Sequence, residues 1–121
     1  MINNKLLSLL GFAQKAGKLA TGDETCELYL KRKKVKLILL ASDAAENTLE
    51  KWKRAGQNHN VPVVVLADRE VLSNAIGKVN RTVVAVLDSG FAKQLEKLMR
   101  ESGIEKGENP GGDEFVKGKN L

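Results

Sequence analysis

Few residues of this chain are equipped for covalent or acid–base chemistry. Cys26 is its one cysteine, His59 its one histidine, and Asp43 and Asp68 each follow an apolar run. A single cysteine permits neither an internal disulfide nor a thiolate zinc site. A single histidine nearly closes off metal–histidine clusters and several histidine-based triads. No G-x-G-x-x-G, P-loop or G-x-S-x-G pattern occurs, so the usual dinucleotide and phosphate cradles and the hydrolase nucleophile elbow are missing. Asp43 and Asp68 stand where open α/β sheets bind ligands, yet an aspartate after a strand is more often a helix cap. Cys26 reads as a small core residue within a helix. His59, in Gln57-Asn58-His59-Asn60, reads as a solvated loop residue. No catalytic residue, metal or cofactor is expected.

What the chain does carry is positive charge. Five of the six residues in Lys31-Arg32-Lys33-Lys34-Val35-Lys36 are cationic, on a chain of net charge +5. Cations near a helix end favour the helix dipole, but five exceed what that requires, and they would attract phosphates. Lys15, Lys18, Lys78 and Arg81 add charge near other turns. Aromatic residues make up only 4% of the chain, too few for a stacking platform for single strands. A structured RNA, read by shape and loop contacts, is the partner that fits.

The elements that must position these residues follow from hydrophobic patterning. The chain of 121 residues reads as one domain. Leu37–Ala41, Val61–Leu66 and Val83–Leu87 are continuous apolar runs, suited to strands buried on both faces. Asn4 to Ala16 forms a first helix with Leu6, Leu9, Leu10, Ala13 and Ala16 on one face, and Gly17 stops it. Lys18-Leu19-Ala20 is a short strand. Thr21-Gly22-Asp23-Glu24 has the form of a capping box and opens a second helix running to about Lys33. Asp43-Ala44-Ala45-Glu46 opens a third, with Ala45, Leu49, Trp52 and Gly56 inward. Asp68 caps a short fourth, with Val71, Leu72, Ala75 and Ile76 inward. Asp88 or Ser89 starts a fifth, with Phe91, Leu95, Leu98 and Met99 as its core stripe, and Gly103 ends it. Alternating strands and helices imply a largely parallel sheet between helical layers. The short strand's position and direction do not follow from pattern. Residues 1–103 read as the α/β domain, and 104–121, rich in glycine, as a flexible tail. No run is long enough to span a bilayer. Met1-Ile2-Asn3-Asn4-Lys5 lacks a signal-peptide pattern, so a cytoplasmic location is expected.

Two stretches carry a family resemblance. They are Gly17-Lys18-Leu19-Ala20-Thr21-Gly22-Asp23-Glu24-Thr25 and Lys36-Leu37-Ile38-Leu39-Leu40-Ala41-Ser42-Asp43. With Asn4–Gly11, Ala75–Lys78 and Asp88–Lys93, the chain resembles the kink-turn-binding ribosomal proteins (large-subunit proteins seven-Ae and thirty-e) from about residue 3 to 100. Within them it is most similar to the small bacterial YlxQ-type branch. The resemblance implies a three-layer α-β-α sandwich around a mixed four-stranded sheet. It also implies an RNA site built from the start of the second helix and the loop from about Gly77 to Thr82. In such proteins the helix start carries Gly-x-Asn-Glu-x-x-Lys, which reads sheared G·A pairs at an RNA bend, and the loop covers a protruding nucleotide.

This chain keeps Gly22 of that pattern. Glu24 stands at the asparagine position, Thr25 at the glutamate position and Leu28 at the lysine position. An ionised Glu only accepts hydrogen bonds, where Asn also donates. Glu24, Leu28 and Arg32 are four apart and share one helical face. The expected assignments are phosphate contacts from Lys18, Arg32, Lys78 and Arg81, base-edge contacts from Glu24 and Thr25, backbone contact near Gly22, and cover for a flipped nucleotide from Val79 beside Asn80. Association with the ribosome or a structured noncoding RNA follows from the resemblance alone. Two other readings stay open. One is an RNA-recognition accessory to an RNA-modifying enzyme, and the other is a small-molecule-binding domain using Asp43 and Asp68.

Overall fold

The computed structural model describes residues 4–104. Five helices and four strands alternate: α1 (Asn4–Lys15), β1 (Leu19–Thr21), α2 (Asp23–Lys31), β2 (Leu37–Ala41), α3 (Glu46–His59), β3 (Val63–Ala67), α4 (Arg69–Ala75), β4 (Val83–Val86) and α5 (Ser89–Glu101). The strands form one mixed sheet in the order β1-β4-β2-β3.

Strand periodicity sorts the core into two layers. Leu37, Leu39 and Ala41 of β2, Val64 and Leu66 of β3, and Val84 and Val86 of β4 face one side. There they meet Leu6 and Leu10 of α1, Leu72 of α4, and Leu95 and Met99 of α5. Ile38 and Leu40, Val63 and Val65, and Val83 and Ala85 face the other side, against Cys26 and Leu30 of α2 and Trp52 of α3. Each fully buried aliphatic side chain contributes about 1.5–3 kcal/mol, so the three-layer α-β-α sandwich follows from β2, β3 and β4, which are apolar at every position.

The sheet is not largely parallel. Only β2 and β3 pair in parallel. β4 is antiparallel to both β1 and β2, so β1, β2 and β3 run one way and β4 against them. Helix length explains the difference. The 14 residues of α3 span about 21 Å, enough to carry the chain back past a five-residue strand of about 17 Å. The seven residues of α4 span only about 10 Å. The chain therefore turns through residues 76–82 and enters β4 from the edge where β3 ended. That edge holds the C-terminal ends of β1, β2 and β3, the start of α2 and the 76–82 loop. The opposite edge holds the end of α2, the end of α3 and the Lys31–Lys36 run.

Local expectations divide by whether their side chains find the anticipated partner. Asp68 caps α4 by accepting from the Val71 N–H at 2.9 Å. Asp88 caps α5 through the Phe91 N–H at 2.9 Å. The Thr21–Glu24 capping box does not form. Gly22 is the N-cap at φ 92°, ψ 152°, with no side-chain cap, and Thr21 is held in β1 opposite Val84. Asp43 does not cap α3, whose N-cap is Ala45 without a side-chain bond. The Asp43 carboxylate instead accepts from the Arg69 N–H at the start of α4, at 2.8 Å. Ala16 and Ala45 are exposed, since each lies just outside its helix. α2 ends at Lys31 rather than near Lys33, with Arg32 as its C-cap. His59 closes α3 and is exposed. Ile104 is buried with α5 in the core, and the rest of the expected tail lies outside the described residues.

Candidate nucleic-acid interface

The edge where β1 ends and β4 begins brings two separated segments together. The Gly22 N–H donates to the Val83 carbonyl at 3.0 Å, and the Ala41 N–H to the Thr82 carbonyl at 2.9 Å. The start of α2 and the end of the 76–82 loop are thereby stitched to one sheet edge. Gly22 holds a φ and ψ that only glycine adopts readily. Without a side-chain cap on α2, its first-turn N–H groups are left for an incoming acceptor.

The loop is pinned from within. The hydroxyl of buried Ser73 accepts from the Arg81 N–H at 2.8 Å and donates to the Arg81 carbonyl at 3.2 Å. The Arg81 guanidinium donates through Nε to Thr21 Oγ1 at 3.2 Å, and through an Nη to the Val79 carbonyl at 2.6 Å. Arg69 clamps the other side, donating to Asn80 Oδ1 at 3.1 Å and to the Asp43 carbonyl at 3.2 Å. Asn80 itself sits at φ 55°, a left-handed conformation that asparagine tolerates better than most residues. So held, Val79 is 75% exposed, an apolar side chain presented to solvent by a rigid turn.

Charge at the start of α2 is partly neutralised. Lys51 of α3 pairs with Asp23 at 2.6 Å and with Glu27 at 3.4 Å. The hydrogen bond from Lys51 to Asp23 is the main reason that the Lys51 pKa is raised. Glu24 and Thr25 are exposed beside them. Leu28, one turn on, is 46% exposed. Arg32 is exposed at the C-cap and completes this stripe.

Among the expected site residues, Gly22, Glu24, Thr25, Val79, Asn80 and Arg81 gather at this edge, with exposed Lys78 in the same loop. Lys18 and Arg32 do not join them. The Lys18 carbonyl accepts from the Leu87 N–H, which places it at the opposite end of β1, roughly 10 Å away along the strand. Arg32 lies at the far end of α2. Asp43 and Asp68 are both occupied at the start of α4. Cys26 is fully buried and its thiol donates to the Ala20 carbonyl at 3.3 Å. Burial pushes its pKa up to about 12, the opposite of what a nucleophile needs.

Sequence reading missed Arg69 and Ser73. Ser73 did leave a signal, a hydroxyl next to Leu72 within the helix expected to pack on the core. Arg69 left none, because its partners lie 26 and 11 residues away. Among the described residues no group of three or more His, Cys, Asp or Glu side chains is placed to hold a metal.

The architecture is an α-β-α sandwich, and at this edge a helix start and a neighbouring loop form the candidate site. A sequence model of the ribosomal protein L7Ae/L30e/S12e/Gadd45 family matches residues 4–96, and the chain belongs to this family. It is 37% identical over 95 residues to the RNA-binding protein YlxQ of Enterococcus faecium, covering 78% of this chain and 91% of that one. It is 38% identical over 91 residues to the RNA-binding protein YlxQ of Bacillus subtilis (strain 168), covering 75% and 91%. Among solved structures, it is similar to a protein with unknown function from Bacillus halodurans C (TM-score 0.77, 38% identity, 81% of this chain and 99% of that one). The fold is also that of the Giardia lamblia 15.5kD RNA binding protein (TM-score 0.66, 18% identity, 84% and 90%). The resemblance read from the two motif stretches, including its YlxQ-type branch, is borne out.

Proposed function

We propose that this chain is a non-catalytic RNA-binding protein that grips a bent, kink-turn-like RNA at the edge formed by the start of α2 and the 76–82 loop. The observation that carries the reading is the contiguity of an uncapped helix start with a pinned loop presenting Val79. The first-turn N–H groups of α2 donate to the RNA backbone at its bend. Glu24 accepts from a guanine edge, and the Thr25 hydroxyl either donates or accepts. Val79 covers a nucleotide that leaves the stack, while Lys78 and Arg81 neutralise phosphates. Both YlxQ relatives are named as RNA-binding proteins, which supports the RNA class. Membership of the ribosomal-protein family supports a structured ribosomal or noncoding RNA in the cytoplasm as its partner.

The test is affinity for a kink-turn RNA, for the same RNA with its G·A pairs replaced, and for a plain duplex, at two salt concentrations. Tight binding lost on G·A replacement is expected. Equal, salt-sensitive binding to all three would leave a basic surface without the specific reading and would overturn the kink-turn assignment.

A further inference from the structure

The Lys31–Lys36 run lies at the sheet edge opposite the proposed bend-reading site. Its backbone is held in place by hydrogen bonds. Lys33 adopts φ 60°, its N–H donating to the Leu30 carbonyl at 2.9 Å, and the Lys34 N–H donates to the Tyr29 carbonyl at 3.0 Å. This is the closing turn of α2, with a lysine where glycine is the usual occupant. The Lys36 N–H is tied to the Val86 carbonyl at 2.7 Å. The turn borders a cleft of about 450 Å³ whose polar rim includes Lys33, Lys36, Asn58, His59 and Asn60. No carboxylate lines it. Among the described residues Asp23 and Glu27 pair with Lys51, and none of the five cations of the run is held in an ion pair. Exposed Lys18 stands at the same edge. Asp88 is a carboxylate at this edge, and its Oδ2 accepts from the Phe91 N–H at the start of α5.

We infer that this far edge is a second polyanion-binding surface, which holds the phosphodiester backbone of the RNA stem flanking the bend. The inference rests on the RNA-binding reading. The exposed stripe Glu24, Leu28, Arg32 joins the two edges along α2, a helix of nine residues and about 14 Å. A duplex leaving the bend along this helix passes over Leu28 and reaches Arg32 and the lysines beyond. The contact is to phosphates, so it carries no sequence information and adds salt-dependent affinity. The left-handed Lys33 provides a variant that separates binding from folding. Lys33→Gly removes a cation and relieves the backbone conformation, so it weakens binding without a loss of stability.

The experiment compares wild type, Lys33→Gly and Lys33→Gly/Lys34→Gln/Lys36→Gln on kink-turn RNA and on plain duplex RNA across a salt series. Thermal denaturation runs alongside. For the triple variant, at least a ten-fold loss at low salt is expected on both RNAs. Its log K against log salt should be shallower by about two to three, since each of the three phosphates left without its cation removes about 0.7–0.9 from the slope. The ratio between kink-turn RNA and its G·A-replaced form should stay at the wild-type value. Unchanged affinity and slope on both RNAs would overturn the inference. So would equal displacement of RNA by poly-glutamate at matched charge, which would assign the surface to an acidic protein. Failure of the kink-turn reading shows separately, as loss of G·A dependence in wild type.

Discussion

At the scale of single residues, burial decides what each polar group can do. Cys26 must stay a neutral thiol in the folded protein, since burial raises its pKa from near 9 to about 12. The folded state therefore binds this proton more tightly than the unfolded chain. Its contribution is intact below pH 9 and is lost as pH rises toward 12, at roughly 1.4 kcal/mol per unit. Urea midpoints measured from pH 8 to pH 11 should fall in wild type, and Cys26→Ala should lack that part of the slope. A thiol reagent at pH 8 should modify Cys26 only on unfolding. Glu24 is the contrasting case, exposed and without a cationic partner among the described residues. Under the proposed function its charge opposes phosphate while its oxygens accept from a base edge. Glu24→Asn adds donors and removes the charge, so kink-turn affinity should rise about ten-fold with little change in stability. A fall would place Glu24 itself in an irreplaceable contact.

At the scale of elements, two glycines separate backbone geometry from packing. A Cβ at Gly22 would meet nothing within 4 Å, but its φ is +92°. A Cβ at Gly56 in α3 would lie 2.4 Å from Val63 Cγ2 and 2.7 Å from the Val61 carbonyl oxygen. Gly22→Ala should cost about 1–3 kcal/mol through strain and also weaken RNA binding, because it shifts the start of α2. Gly56→Ala should cost a similar amount, about 1–3 kcal/mol, by overpacking α3 against β3, while the folded fraction binds RNA as before. Denaturation and binding assays on the pair distinguish the two mechanisms. The 76–82 loop depends in the same way on α4. Arg69→Ala deletes the bonds to Asn80 and to the Asp43 carbonyl, each worth about 1 kcal/mol net. RNA affinity should drop several-fold, and the melting temperature should fall by several degrees. Of these supports only the Asp68 cap was legible in the sequence, because a cap acts within three residues of itself. The Ser73 and Arg69 contacts join segments that pattern keeps apart.

At the scale of the whole molecule, charge is divided between two edges of one sheet. Lys78 and Arg81 stand at one, Lys18 and the Lys31–Lys36 run at the other. Among the described residues, no helix is long and apolar enough to cross a membrane. With net charge +5, wild-type RNA affinity should fall linearly in log–log form with salt. Arg32→Ala/Arg81→Ala should reduce the slope, one residue acting from each edge. An unchanged slope would remove both from the phosphate contacts.

The sequence by itself determined the layers and most of the helices. Strands apolar at every position require cover on both faces, and helical periodicity names the faces that supply it. It also determined the family, through short motifs whose side chains and glycines act locally. Tertiary structure alone decided the direction of β4, because that depends on whether a connecting helix is long enough to cross the sheet. It likewise decided which cations belong together. Lys18 and Arg81 were assigned to one site, yet strand pairing holds them at opposite ends of β1. Thr21 and Asp43 were assigned to capping their own helices, yet Thr21 receives Arg81 and Asp43 receives the start of α4. In each case the partner is distant in sequence, and only folding brings it within hydrogen-bond reach.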